Sequence, residues 1–332
     1  MKRWSRTVAA VTGGAALGAA AAFAGGAFLW RRTTARAVAR LNAAVTKSPL
    51  CEFLPAELAL LPAPVQRYFL FALTPGQMLV RRARVVQDGM FRIGGFDAKW
   101  SPFTAVQHFT AQPPGFLWDA RIQMAPMVTV RVRDSYIGGG GGMQVSIASL
   151  IPVVNQSGKP ELAASALHRY LAEAVWLPTA LLPSQGVAWE GIDDNSARAT
   201  LTDGEVSVSL VFQFGDRGEI VSTYTPERYR DVNGTAVKTS WTCRYGEFAR
   251  VNGMMIPMEG DAAWSLPEGS LSYCRVHLRE MEFDGSPDHV SSVVVGELVH
   301  LQNFLHAAPR LPRRANQAEI CRPLKEIHTP AA

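Results

Sequence analysis

The strongest claims to chemistry in this sequence come from charged residues set among apolar ones. Glu173 lies at the edge of an apolar stripe, just before Trp176-Leu177-Pro178, and an ionised carboxylate in such a setting needs a partner. Arg169, one helical turn earlier, is spaced to supply it as an i,i+4 pair. The competing reading makes Glu173 an acid, a base or a ligand anchor at the edge of a cavity, with Arg169 or Asp134 beside it. Arg133 and Asp134, near a strand end beside a glycine run, carry the same two readings: a strand-end ion pair or a ligand contact. Asp193 and Asp194 resemble paired carboxylates, but with Asn195 and Ser196 behind them they read first as a turn.

Motifs for other chemistry are missing. The run Gly138 to Gly142 is followed by Met143 and Gln144, whereas a phosphate loop needs Lys and then Ser or Thr at fixed spacing. The run reads as a hairpin loop. There is no HExxH, GxSxG or SxxK, and the seven histidines are scattered, so no metal site and no cofactor is expected. Cys51, Cys243, Cys274 and Cys321 form no CxxC and have no metal-like spacing to histidine. Cys243 alternates with Trp241 and Tyr245, and Cys274 with Val276 and Leu278, which places both thiols toward a core. A strand between them sets them about 9–10 Å apart, beyond the reach of a disulfide.

Trp100, Trp118, Trp176, Trp189, Trp241 and Trp264 fall in the part of the chain that reads as folded, with Met124, Met127, Met143, Met254, Met255 and Met258. Each reads first as core. Together they also suit the lining of an apolar cavity, because methionine and aromatic rings adapt to irregular ligands. Residues 160–176 carry an apolar helical stripe of Ala163, Ala166, Leu167, Tyr170, Ala174 and Val175. Its small residues predict a pocket against the strands bearing Trp118, Trp189 and Trp264. Tyr170, Glu173, Trp176, Arg133 and Asp134 complete the expected ligand-binding set.

The elements that must position these residues are mostly strands. Residues 65–73 show helical spacing after Pro64. Residues 81–86, 103–110, 116–122 and 128–137 read as strands between glycine and proline clusters. The clearest strand puts Val206, Val208, Leu210, Phe212 and Phe214 on one face, and residues 187–283 read as a meander with turns at Asp203-Gly204, Asp216 to Gly218 and Asn252-Gly253. The predicted fold is α+β: a large curved, mostly antiparallel sheet with one or two helices on its concave face. Residues 1–30 read as an N-terminal hydrophobic anchor or signal, 31–60 as a basic helical linker and 61–284 as the β-rich domain. Residues 285–332 read as a tail with a short helix at 293–306.

Charge sorts the remaining function classes. Eight of the 33 basic residues fall in residues 1–50, which hold no acid, so 25 bases face 28 acids in the rest. The folded part has no basic footprint for nucleic acid, and that class is set aside. Residues 8–30 hold no charge, and a helix of that length spans about 35 Å, enough for a bilayer. Ala22-Phe23-Ala24 before Gly25 leaves a cleaved signal as the alternative. Basic residues flank the stretch on both sides, and its signal-like order favours a domain on the outer side of the membrane, with the cytoplasmic side as the alternative. Residues 33–46 suit a helix along anionic headgroups or a solvated linker.

The segments LPAPVQRYF (61–69), WSPFTAVQHF (100–109), PPGFLWDAR (113–121), RDSY (133–136), RYLAEAVWLPTALLP (169–183), WEGIDDNSARATL (189–201) and IPMEGDAAWSLPEG (256–269) resemble an uncharacterised bacterial family of unknown function. The resemblance spans residues 61–284 and implies no activity. More loosely, the aromatic strands are similar to the half-barrel of LolA-type lipoprotein carriers, which implies an apolar ligand under a curved sheet; fold analogy alone does not establish function. The expected function is therefore a membrane-tethered binding domain for a lipid or other apolar ligand. The alternatives are a structural domain of the cell envelope, or an enzyme using Glu173 with Arg169 or Asp134.

Overall fold

Among the described residues, alternation of apolar and polar residues produces thirteen strands, and short glycine and asparagine turns fold them back on one another. In the computed structural model, which describes residues 2–45, 51–126 and 128–284, the first meander comprises β1 (Arg82–Arg92), β2 (Trp100–Thr110), β3 (Gly115–Ala125), β4 (Val128–Ile137), β5 (Gly140–Ile147) and β6 (Ile151–Ser157). The second comprises β7 (Val187–Asp193), β8 (Ser196–Asp203), β9 (Val206–Phe214), β10 (Ile220–Val232), β11 (Thr235–Val251), β12 (Met254–Leu266) and β13 (Gly269–Phe283). In β9, Val208, Leu210, Phe212 and Phe214 are buried while Ser207 and Gln213 are exposed, as the period of two requires. The β10–β11 and β11–β12 turns place Asn233-Gly234 and Asn252-Gly253 at positive φ, the conformation that matches a two-residue turn to the strand twist.

All thirteen strands join in one antiparallel sheet ordered β6-β5-β4-β3-β2-β1-β13-β12-β11-β10-β9-β8-β7. The first meander walks from the centre to one edge, and the second returns from the opposite edge to pair β13 with β1. Between them α3 (Pro160–Glu173) carries the chain from edge to edge. A sheet this wide does not stay flat. Tyr136 on β4 donates its hydroxyl to Asp203 at the end of β8 across 2.9 Å, so the two flanks curl toward each other around α3.

The helix is held on both sides. Ser165 donates to the Tyr229 carbonyl of β10, while Gly141 of β5 lies so close that a Cβ there would stand 2.5 Å from the Leu162 carbonyl oxygen. The glycine run therefore serves two needs: Gly138 and Gly139 turn the chain at positive φ, and Gly141 admits the helix. The helix buries Ala163, Ala166, Leu167, Tyr170 and Leu171, and then tightens into 3₁₀ turns at Ala174–Trp176 and Pro178–Leu181, all buried. A second helix, α2 (Ala63–Ala72), seats Tyr68 and Phe69 against Phe214 and Trp189. The helices and 3₁₀ turns thus fill much of the concave side.

An N-terminal helix, α1 (Lys2–Ala43), passes through the expected anchor–linker boundary at residue 30 without a break. Its C-terminal half packs on the convex side, where Trp30 donates to Asp119 of β3 at 2.9 Å and Leu41 is buried. Among the described residues no helix is long and apolar enough to cross a membrane; most of the side chains of residues 8–19 lie outside the described ones. The expected C-terminal tail and its short helix also lie outside the described residues. Sequence reading did not anticipate β6. It is an edge strand containing Pro152, which an edge tolerates, and Ile151 and Val153 are exposed.

Candidate functional site

Adjacent residues of a strand point to opposite faces, and this separates two residues that the sequence reading grouped. Asp134 points into the concave side and Arg133 out of the convex side. Inside, Arg169 of α3 donates Nη1 to Asp134 Oδ2 at 2.7 Å and Nε to Glu173 Oε1 at 2.8 Å. The guanidinium lies 4.8 Å over the Trp118 ring and 5.0 Å over Phe116. Gln107 of β2 donates to the other Glu173 oxygen at 2.6 Å, Gln87 of β1 donates to Gln107 at 3.2 Å, and the Trp118 indole donates to Gln87 at 3.0 Å. The pair read from i,i+4 spacing is present, as part of a six-residue polar chain tying α3 to β1–β4. Burial raises the Glu173 pKa above the usual carboxylate value, while Arg169 and the Gln107 hydrogen bond pull it down.

From Trp118 an aromatic row crosses the concave floor. Phe91 of β1 lies 6.3 Å from Trp118 and 5.8 Å from Tyr273 of β13, which stacks on Trp264 of β12 at 5.8 Å, and Trp264 reaches Trp241 of β11 at 6.4 Å. Register places Cys274 beside Phe91 and Ala262, and Val276 beside Gly89 and Gly260, in the adjoining rows. Trp118 and Trp241 are buried, but Phe91, Ala262, Trp264, Tyr273, Cys274 and Val276 stay partly open to solvent. The floor is thus a half-buried apolar strip beside α3.

Arg228 closes the strip at its far end. Its residue is 8% exposed, and its guanidinium lies 4.2 Å over Trp241 and 5.2 Å over Trp264. Nε donates to the Ser165 carbonyl and Nη1 to the Tyr273 hydroxyl, both at 3.1 Å. Among the described residues no carboxylate pairs with it, and Nη2 makes no hydrogen bond. A buried cation is ordinarily paired. The neighbouring His168 is driven down to about 4 by burial and by Arg228, and is therefore neutral near pH 7.

The other expected site residues fall elsewhere. Trp189 packs on Phe69, Phe212 and Phe214 and donates to the Leu181 carbonyl, away from the strip. Tyr170 and Trp176 are buried against Phe109. Trp118 and Trp264 thus share the strip, whereas Trp189 lies apart from it against the 3₁₀ turn that carries Leu181. Arg133 lies 4.4 Å over Trp30 and donates to the Trp30 carbonyl, Thr33, Thr34 and Gln144, so it fastens α1 to the sheet. Beside it, Arg36, Arg40, Gly140 and Asn155 help line an open cavity of about 550 Å³ on the convex side.

Cys243 and Cys274 are free, and Ala262 stands directly between them in register, as the spacing argument requires. Among the described residues no group of histidines, cysteines and carboxylates is arranged to hold a metal ion. Arg228 and Tyr273 were not anticipated. Gln87 and Gln107 were missed as well, although each interrupts an apolar alternation on the buried face, a signal that could have found them.

Fold and site together define an open antiparallel half-barrel with a helix across its concave side and an aromatic strip beside that helix. The chain belongs to the family of unknown function DUF6920, which it matches over residues 59–283. Among solved structures it is similar to the LolA superfamily protein NE2245 from Nitrosomonas europaea, at 12% identity and a TM-score of 0.32, covering 66% of this chain and 91% of that one. It is also similar to a β-barrel-like protein of the domain of unknown function DUF1849 from Brucella abortus, at 11% identity and a TM-score of 0.24, covering 61% and 99%. No curated protein matches the sequence.

Proposed function

We propose that this chain is a membrane-tethered domain that binds a lipid or another apolar molecule along the concave strip between Trp118 and Trp264. The observation that carries this reading is the half-buried row Phe91, Tyr273 and Trp264 with Ala262, Cys274 and Val276 alongside. A concave apolar surface with one convergent polar group is the usual form of a small-molecule site. Arg228 is that group, and an acidic function on the ligand would supply its missing counter-ion. The charge-free part of α1 that precedes its contact with Leu150 at Gly26 supplies the tether, with the domain on the outer side of the membrane.

Native mass spectrometry of the detergent-solubilised chain tests the reading by looking for a co-purifying lipid. Binding of an apolar fluorescent probe provides the second measurement. Ala262→Trp, at a half-buried position in the strip, should abolish probe binding, with circular dichroism checking that the fold is kept. Wild-type protein that carries no lipid and binds no probe overturns the proposal. That outcome would favour a scaffolding domain, a reading supported by the filled space beneath α3, where Ala166 and Ala174 are buried.

A further inference from the structure

The turns at the end of the sheet where β1 finishes are unlike one another. The β1–β2 turn exposes Ile93 and Phe96, the β3–β4 turn Met124 and Val128, and the β5–β6 turn Leu150 and Ile151, the last at 60% exposure. Three neighbouring hairpins thus present large apolar side chains at their tips, and clustered apolar exposure marks a contact surface. The β12–β13 turn, on the other side of β1 at the same end, carries exposed Glu268 instead.

Two further features converge on this end. The first is the course of α1: Leu41 meets Gly115 at the far end of β3, Trp30 meets Asp119 midway, and Gly26 lies against Leu150 in the β5–β6 turn. Residues 2–25 continue the helix beyond that turn, a length of about 36 Å. The described side chains from 20 to 25 are uncharged and exposed. The second is the aromatic strip, whose open members Phe91, Tyr273 and Trp264 all lie near this end of their strands. Outside the strip, Arg92 and Arg275 lie 4.4 and 4.6 Å over Trp100, a basic and aromatic pairing suited to the lipid–water boundary.

We propose that this end of the half-barrel rests on a lipid bilayer, with the tips of the first three hairpins in its interfacial layer beside α1. The acidic β12–β13 turn stays off the surface. The strip then opens onto lipid, so a ligand enters from the bilayer without crossing water. This rests on the tethered-binding reading and adds the face and the route.

The test uses the full chain in vesicles of phosphatidylcholine and phosphatidylglycerol, with a benzophenone photocrosslinker (p-benzoylphenylalanine) replacing Phe96, Met124 or Ile151 in turn. Lipid adducts are expected at all three. None is expected at Leu60, which is 98% exposed at the opposite end, or at Glu268. Absence of lipid adducts at the tips, or adducts to protein in their place, overturns the docking face. In a second arm, Met124→Asp combined with Ile151→Asp should slow uptake of a fluorescent phospholipid from vesicles about tenfold, which corresponds to about 1.4 kcal/mol. The same variant in detergent should bind a fluorescent fatty acid as the wild type does. Unchanged uptake also overturns the proposal. Wild-type protein that gives lipid adducts yet binds no fatty acid overturns the ligand reading alone.

Discussion

Replacing Arg169 with methionine removes the one cation among the described residues that pairs with Asp134 and Glu173. The side chains of these two acids are 8% and 16% exposed, so water does not take over the role. Removing one partner of a buried ion pair costs about 3–5 kcal/mol, and the stacking on Trp118 and Phe116 adds about 1 kcal/mol. Methionine recovers part of the packing, which sets the expected loss at about 4 kcal/mol near pH 7. That is a large share of a typical stability of about 5–15 kcal/mol. The loss also depends on pH. Burial already raises the Glu173 pKa and Arg169 pulls it down, so without Arg169 the folded state holds a proton that the unfolded state releases, and stability falls as pH rises through that range. The variant should therefore lie closer to wild type at pH 4 than at pH 7. Urea unfolding followed by tryptophan fluorescence at both values measures this. Adding Asp134→Asn and Glu173→Gln should restore much of the loss. A cost under about 1 kcal/mol, or an equal cost at both pH values, refutes the view that these carboxylates depend on Arg169.

Three further outcomes are expected. His168 has its pKa lowered to about 4, so its contribution is intact above its unfolded value near 6.5 and is lost as pH falls toward 4. The loss amounts to about 3 kcal/mol, and His168→Gln should flatten the stability profile across that window. His277, raised by its hydrogen bond to Asp88, acts with the opposite sign, and comparison with the His168 variant cancels it. Ala166→Phe should cost about 3 kcal/mol by thermal or urea unfolding, because Ala166 is 3% exposed on the buried face of α3 and overpacking a filled core is costly; a neutral result would reveal space there. Electrophoretic mobility should be the same with and without reductant, and a reductant-dependent shift removed by Cys243→Ser would contradict the Cys243–Ala262–Cys274 register.

Much of this architecture was legible because each element repeats one simple pattern. Strict alternation identified β9, helical spacing gave α3, and the interval between residues 169 and 173 gave the ion pair. The Arg133 and Asp134 grouping failed against the same alternation, which sends strand neighbours to opposite faces. Arg228 and Tyr273 were hidden for a different reason. Pairing shifts between Thr225 and Arg228 on β10 and opposite Ala262-Ala263 on β13, and an inserted residue reverses the face of everything after it. Parity counted along the sequence therefore loses track at the two residues that matter most to the strip. The enclosed pocket was expected because α3 offers small residues; the 3₁₀ turns after it supply the missing volume, and nothing in the periodicity announced them.

The pairing of β13 with β1 has a consequence for how the chain is made. During synthesis β1 emerges early, yet one of its edges waits for the last strand of the domain. Until then the first meander carries an unsatisfied row of amides and carbonyls at the future centre of the sheet, the kind of edge on which other chains pair. A product ending before Gly269 would have open edges at both β1 and β12. Such a fragment is a template for aggregation, and the centre of the sheet is protected only once β13 has been made and has paired.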